Sequence, residues 1–173
     1  VIGKESSEIW TSVKGISHLD DISMFNVAGP GMKGMVGMAS RIFATMSREN
    51  ISLVLISQSS SEYCVSFCIH SVDAERAKVS LQQEFELELI NHLLEPIELK
   101  DNLSIVSLVG DGMHHQRGVA SKLFASLAQA RLNVVAIAQD SSERSISVVI
   151  EQRKCTDALK VCHQNFFSHK PTI

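Results

Sequence analysis

The sequence predicts an α+β fold built from two ferredoxin-like βαββαβ units, each an antiparallel sheet with its helices on one face. Three observations predict it. The first is an internal repeat. GPGMKGMVGMASRIF from Gly29 returns as GDGMHHQRGVASKLF from Gly110, and QSSSE from Gln58 returns as QDSSE from Gln139. The offset is constant and ungapped, and it also pairs Gly37 with Gly118, Ala39 with Ala120, Phe43 with Phe124 and Phe85 with Phe166. That period is too long for a solenoid unit of roughly 20–50 residues, so each copy is a small domain. The second observation is the order of apolar patterns in each copy, strand, helix, strand, strand, helix. The third is the tight turn between the second and third strands, which makes them an antiparallel hairpin.

Trp10–Ile16 is short, β-prone and outside the repeat, a strand in need of a sheet. His18–Asp21 reads as a turn and Ile22–Ala28 as a strand. Gly29–Gly34 breaks that strand. Met35, Met38, Ala39, Ile42, Phe43 and Met46 then recur at helical spacing as one apolar stripe. Asn50 stops the helix, Ile51–Ile56 is an apolar strand, and Ser59–Ser61 turns into the alternating strand Tyr63–Ile69. Asp73 can cap a second helix carrying Ala74, Ala77, Leu81 and Phe85 on one face. Glu95–Leu99 offers a last strand, and Asp101–Asn102 turns into the second copy.

There the order recurs: strand Leu103–Val109, a helix striped by Val119, Leu123, Phe124 and Leu127, strands Asn133–Ala138 and Arg144–Ile150, and helix Thr156–Phe166. The second copy lacks its fourth strand, and the spare strand near the N-terminus is the one available to complete it. The expected division is residues 17–100 for the first unit, and residues 9–16 with 101–167 for the second.

Bulk properties bound the function. The chain has 173 residues, 45% apolar and 20% charged, which is an ordinary globular composition. A unit of about 80 residues is only marginally stabilised by its own core, so the copies are expected to pack on each other or on another subunit. The net charge of −3 argues against a nucleic-acid surface. No apolar run approaches the roughly 18 residues of a membrane span. Cys64 and Cys68 in a strand, and Cys155 and Cys162 in a helix, are too far apart to bridge, and free thiols suit a reducing cytosol. The chain begins at Val1 without an initiator Met, and it reads as a piece of something longer.

Gly29-Pro30-Gly31-Met32-Lys33-Gly34 matches the G-x-G-x-x-G pattern of dinucleotide sites. Three features oppose that reading. The next strand ends in Ser57-Gln58 with no acidic residue, its connection is a hairpin rather than a helical crossover, and the repeat has His115 at the third glycine. Met35 stands where a phosphate loop needs lysine. A glycine-rich turn at a helix start still exposes backbone N–H groups able to hold a carboxylate. Gln58 and Gln139, at strand ends, can each donate and accept. Two readings stay open: a small zwitterion held between turn and strand end, or glycines that only turn and glutamines that only pack. His114-His115 reads as a solvated loop rather than a metal site, and no nucleophile–base constellation occurs. No cofactor is expected.

The stretches VKGISHLDDISMFNVAGPGMKGMVGMASRIFATMSRENISLVLISQSSSEYCVSFCI and LSIVSLVGDGMHHQRGVASKLFASLAQARLNVVAIAQDSSERSISVVI carry a resemblance. From about Val13 to Phe167 the chain resembles the tandem ACT regulatory region of aspartokinases, in particular that of the threonine-sensitive bifunctional aspartokinase–homoserine dehydrogenases of bacteria. The resemblance implies a non-catalytic allosteric module that binds an amino-acid end product, L-threonine in that subgroup, in a cytoplasmic enzyme. It implies effector contacts from Gln58 and Gln139 and from backbone groups at Met32, Met35, Gly37 and Ala39. In the second copy those positions are Met113, Gln116, Gly118 and Ala120. It also implies homo-oligomers formed by paired ACT sheets, and a first unit inserted into the second. A module of another kind, a ligand-free structural dimerisation unit, remains the alternative.

Overall fold

The computed structural model describes residues 13–33, 36–58, 63–111, 113, 116–139 and 144–167, with Gln58 described by its backbone. Strand β1 (Gly15–Ala28) leads through a glycine turn to helix α1 (Met38–Arg48), and strands β2 (Leu55–Gln58) and β3 (Cys64–His70) follow. Helices α2 (Ala74–Glu84) and α3 (Glu86–Ile90) lead to strand β4 (Glu98–Val109). The second copy adds α4 (Val119–Gln129), β5 (Ala136–Gln139), β6 (Ser145–Glu151) and α5 (Cys155–Phe167).

The two copies share one antiparallel six-stranded sheet in the order β2-β3-β1-β4-β6-β5. Its centre differs from the sequence reading in an informative way. His18–Asp21 and Asp101–Asn102 do not turn the chain; each lies inside a long strand. Asp21 and Asn102, equivalent positions of the repeat, take left-handed φ values of 56° and 57°, a conformation that Asp and Asn tolerate better than most residues. The β1–β4 register shifts on either side of Ile22, so β1 bends without breaking. Local turn chemistry is present, but ladder hydrogen bonds on both flanks override it. Of the predicted strand Trp10–Ile16, residues 10–12 lie outside the described residues, and Gly15 and Ile16 open β1.

The first half of β1, Gly15–Leu19, lies against Val109–Ile105 of β4, and the second half lies between two strands, Ile22–Ala28 against β3 and Ile22–Asn26 against Leu103–Glu98 of β4. Each side of this seam carries the same part-buried bond. Ser23 Oγ donates to Asp101 Oδ1 at 2.5 Å, and Ser104 Oγ donates to Asp20 Oδ1 at 2.5 Å. Both serines are fully buried, so the carboxylates satisfy hydroxyls that would otherwise be costly.

Among the described residues, three apolar clusters hold the fold together. Phe25, Phe67, Ile42, Met46, Leu81 and Phe85 pack between the first half of the sheet and α1 and α2, with Phe25 and Phe67 stacked at 5.5 Å. Leu108, Val148, Leu123, Leu127 and Phe166 do the same beneath α4 and α5. The third cluster fills the opposite face of the sheet and draws on both copies: Ile22 with Leu103, Met24 with Ile105, and Cys68 with Val149. The outer strands β2 and β5 approach within 8 Å (Cα–Cα), which curls the sheet around that cluster. The copies therefore pack on each other. Burying a Leu, Ile or Met side chain contributes about 1.5–3 kcal/mol, and this shared cluster supplies what the small core of each copy lacks alone.

The helices follow the predicted stripes with shifted ends. The first begins at Met38 rather than Met35, because Gly37 takes φ 95° and starts it. Asp73 precedes α2 but its side chain does not cap it; it pairs with Arg76 instead. The short helix α3 has no counterpart in the sequence reading. α1, α3 and α4 end in left-handed residues, Asn50, His92 and Arg131. The amides that follow α1 and α4 close six-residue loops, Ile51 to Met46 at 2.9 Å and Leu132 to Leu127 at 2.9 Å.

Candidate functional site

The ladder brings each glycine turn and its glutamine to one end of the sheet. β1 and β2 both run antiparallel to β3, so they are parallel to each other and their C-terminal ends coincide. Ala28, the last residue before the first turn, is paired with Cys64, and Gln58 is paired with Val65. Turn and glutamine therefore stand two strand spacings apart, roughly 10 Å. The second copy repeats the geometry: Val109 is paired with Ser145 and Gln139 with Ile146. Gln139 is exposed, on the sheet face that α4 covers.

Both turns are tied to the hairpin by one bond in common, Gly29 N–H to Tyr63 O at 3.1 Å and Gly110 N–H to Arg144 O at 2.9 Å. The glycines of the first turn have separate duties. Gly29 takes φ 149°, and a Cβ on it would lie 2.6 Å from Leu93 O. At Gly31 a Cβ would lie 2.7 Å from the same oxygen, which accepts the Gly31 N–H at 2.7 Å. These two glycines admit the backbone that follows α3, not a pyrophosphate. Gly37 has open space around its Cβ position and is needed for its left-handed φ alone.

Helices α1 and α4 start alike. Their first-turn N–H groups follow a left-handed glycine, φ 95° at Gly37 and 88° at Gly118, with no side-chain cap and no acidic residue in the first turn. A helix start leaves its first N–H groups to be met from outside and carries a partial positive charge. Such an end takes a carboxylate well. Ala39 and Ala120, in those first turns, are half-buried.

The remaining sequence-predicted residues fall unevenly. Met32 and Met113 bury their side chains in the two helix-side cores. The Met32 N–H is used within the turn, donating to Gly29 O at 3.0 Å. Half-buried Gln116 donates its N–H to Met113 O at 3.1 Å. Met35, His114-His115 and the serines 59–61 lie outside the described residues. The second turn differs in charge: Asp111 pairs with Lys14, which holds its carboxyl below the usual range. Pro30 occupies that position in the first.

Other groups are less suited to ligand chemistry. His18, Asp20 and Cys155 bring donor atoms within 4.8 Å of one another and could hold a metal ion. Burial and the Asp20 carboxylate push the Cys155 thiol up, so a metal would have to displace its proton. The first copy has Leu99 and Ala74 where His18 and Cys155 stand, so the trio is no feature of the repeat. A cavity of about 650 Å³ at the seam is lined by Asp21, Asp101, Asn102, Glu151, Gln152 and Arg153, none of them in the glycine turns. Among the described residues no helix is long and apolar enough to cross a membrane.

The ACT-domain profile matches residues 25–85 and again 106–166. The chain belongs to the ACT-domain family. The match covers both copies of the β-α-β-β-α order, so this is a tandem ACT pair, α+β as read from the repeat. The bifunctional aspartokinase/homoserine dehydrogenase of Haemophilus influenzae is 56% identical over 161 residues, covering 93% of this chain and 20% of that protein. The chloroplastic bifunctional aspartokinase/homoserine dehydrogenase 1 of Arabidopsis thaliana is 35% identical over 93% of this chain and 18% of its own length. The ACT pair thus spans about a fifth of these relatives. A crystal structure of aspartokinase alpha and beta subunits superposes with a TM-score of 0.75 at 27% identity, covering 89% of this chain and 98% of that one.

Sequence reasoning missed Arg41, which joins α1 to α2 and α3. Its guanidinium meets Glu84 Oε1 at 2.9 Å, the Glu84 carbonyl at 2.8 Å and Glu88, and lies 4.6 Å from the Phe85 ring centroid. Bonds to Arg41 hold the Glu88 carboxyl below its usual range, and bonds to Arg48 and Arg41 do so for Glu84. The available signal was in the repeat. Arg41, Glu84 and Glu88 are charged, whereas the equivalent positions of the second copy are Lys122, Asn165 and His169, with no carboxylate among them.

Proposed function

We propose that this tandem ACT pair is the allosteric amino-acid-binding regulatory module of an aspartate kinase/homoserine dehydrogenase, and that its effector is L-threonine. The observation that carries this reading is an arrangement built twice, a glycine turn leading to an uncapped helix at the same end of the sheet as a strand-end glutamine. The first-turn N–H groups of α1 and α4 take the effector carboxylate. The Gln58 and Gln139 amides take its remaining polar groups, including a hydroxyl. Met32, Met35, Gly37 and Ala39 line the first site, and Met113, Gln116, Gly118 and Ala120 line the second. On this reading the chain serves as a regulatory, non-catalytic module.

Calorimetric titration of the chain with L-threonine, L-lysine and L-methionine tests this. The account predicts heat with threonine, weakened by Gln58→Ala. An analogue lacking the hydroxyl loses about 0.5–1.5 kcal/mol, the net worth of one hydrogen bond to the glutamine amide. No heat with any amino acid would refute it.

The units divide as residues 17–100, and residues 9–16 with 101–167. Removing residues 1–17 should then loosen the second unit first in hydrogen exchange. The assembled protein is a cytoplasmic homo-oligomer paired through its ACT sheets. The outer strands β2 and β5 support that reading, because their equivalent residues Ile56 and Ile137 are each 47% exposed there. The same pair of isoleucines favours the alternative, a ligand-free structural dimerisation module. That module would sediment as a dimer and give no heat with threonine.

A further inference from the structure

The first glycine turn is attached at both ends to one scaffold, the segment from the end of α2 through α3 to Glu95. At its near end, Gly31 N–H donates to Leu93 O at 2.7 Å and Glu95 N–H donates to Ala28 O at 2.9 Å. Both glycines of the turn pack so closely on Leu93 and Leu94 that no Cβ fits. At its far end, Arg41 N–H closes the first turn of α1 onto Gly37 O at 2.9 Å. The Arg41 side chain then crosses to the scaffold. It donates to the Glu84 carboxylate and to the Glu84 carbonyl at the C-terminus of α2, pairs with Glu88 in α3, and lies over Phe85.

The contacts are sheltered. Glu84 and Glu88 side chains are 19% and 12% exposed, and Arg48 adds a 2.6 Å bond to the other Glu84 oxygen. A planar guanidinium that forks between two carboxylates and a carbonyl fixes direction as well as distance, which an ammonium does not. The second copy keeps the cation over the ring, with Lys122 Nζ 5.2 Å from the Phe166 centroid, but has Asn165 and His169 where Glu84 and Glu88 stand. Asn165 donates to Ser126 Oγ at 2.8 Å.

From this we infer that Arg41, with Glu84 and Glu88, is a positioning group that presets the first-turn N–H groups of α1 for an effector carboxylate, so that the site at Gly37 is the tighter of the two. This rests on the effector reading proposed above. Arg41 does not touch the effector; it ties the start of α1 at Gly37 to the scaffold that already holds Gly31 through Leu93. A site held in its binding geometry loses less conformational freedom when ligand arrives, and so binds more tightly.

The test compares the wild-type chain with Arg41→Met, Arg41→Lys and Glu88→Gln. Glu88→Gln keeps the shape and an acceptor oxygen, and it serves if Arg41→Met fails to fold. Two measurements are made on each folded variant. Hydrogen exchange without ligand should quicken at residues 36–41 in Arg41→Met, and less in Glu88→Gln, while residues 117–122 stay unchanged. Threonine titration followed by backbone amide shifts should show affinity at the Gly37 site falling roughly tenfold in Arg41→Met, with partial recovery in Arg41→Lys and no change at the Gly118 site. Equal loss at both sites would mark a merely structural role and overturn the inference. So would unchanged exchange at residues 36–41, or wild-type binding that is tighter at Gly118. If exchange changes as expected but threonine binds nowhere in the wild type, the effector reading falls. The site-ranking falls with it, and the positioning of the turn stands.

Discussion

Adding one methyl group at each of four glycines separates two physical reasons for having glycine. Gly29 has both, with φ 149° and a Cβ position 2.6 Å from a backbone oxygen. Gly31 has only the steric one, at 2.7 Å, and Gly37 only the conformational one, at φ 95°. Gly15, in β1, has open space and neither constraint. Overpacking a close contact costs about 1–3 kcal/mol, and a left-handed alanine costs about 1–2 kcal/mol. Gly29→Ala should therefore cost roughly 3–4 kcal/mol, Gly31→Ala about 2 and Gly37→Ala about 1.5. Gly15→Ala should stabilise by about 0.4–1 kcal/mol through the unfolded chain. For a domain of this size each kcal/mol moves the melting temperature by roughly 2–4 °C. Thermal and urea unfolding of the four variants measures the order directly. If Gly37→Ala proved as costly as Gly29→Ala, or Gly15→Ala destabilised as much as Gly31→Ala, the account of the turn would be wrong.

Acid should release the Arg41 network. The folded-state carboxyl pKa values of Glu84 and Glu88 lie below the ordinary 4.5, so their contribution is full above that value and is lost as pH falls through the lower folded value. Urea unfolding from pH 6 to pH 3 should show a loss that Arg41→Met diminishes. Burial pushes the Cys68 thiol up to about 12 and the Cys162 thiol up to about 11, and it raises Cys155 as well. At pH 8 a thiol reagent should modify half-buried Cys64 first, and the other three only on unfolding. Arg131 holds a left-handed φ of 56° after α4, where the first copy has Asn50. Arg131→Gly should raise stability by about 1 kcal/mol, read as a higher melting temperature.

The repeat made the element order and the placing of both turns legible, because periodicity and glycine spacing are local properties. It did not show the long central strands. Asp21 and Asn102 carry turn chemistry in their own neighbourhoods, and ladder partners far along the chain carry the strands through them. The single curled sheet was hidden for the same reason, since its inner cluster needs both copies. At the candidate site, Gly118 stood just before the second stripe and could be read as a helix start, whereas the first stripe opened at Met35 and hid Gly37. The division of labour between Gly29, Gly31 and Gly37 could not, because it depends on where Leu93 passes. Arg41 carries no local signal of its role, because its partners Glu84 and Glu88 stand more than forty residues along the chain, at the end of α2 and in α3.

The central claim is that the uncapped start of α1 receives an amino-acid carboxylate. Backbone amide shifts of the isotopically labelled chain, followed while L-threonine is added, test it most directly. The account predicts saturable shifts led by the N–H groups of residues 37–40, followed by Gln58, with a weaker counterpart at residues 118–121 and Gln139. Threonine that shifts neither helix start, or that shifts only residues around the seam cavity at Asp21 and Asp101, would contradict it.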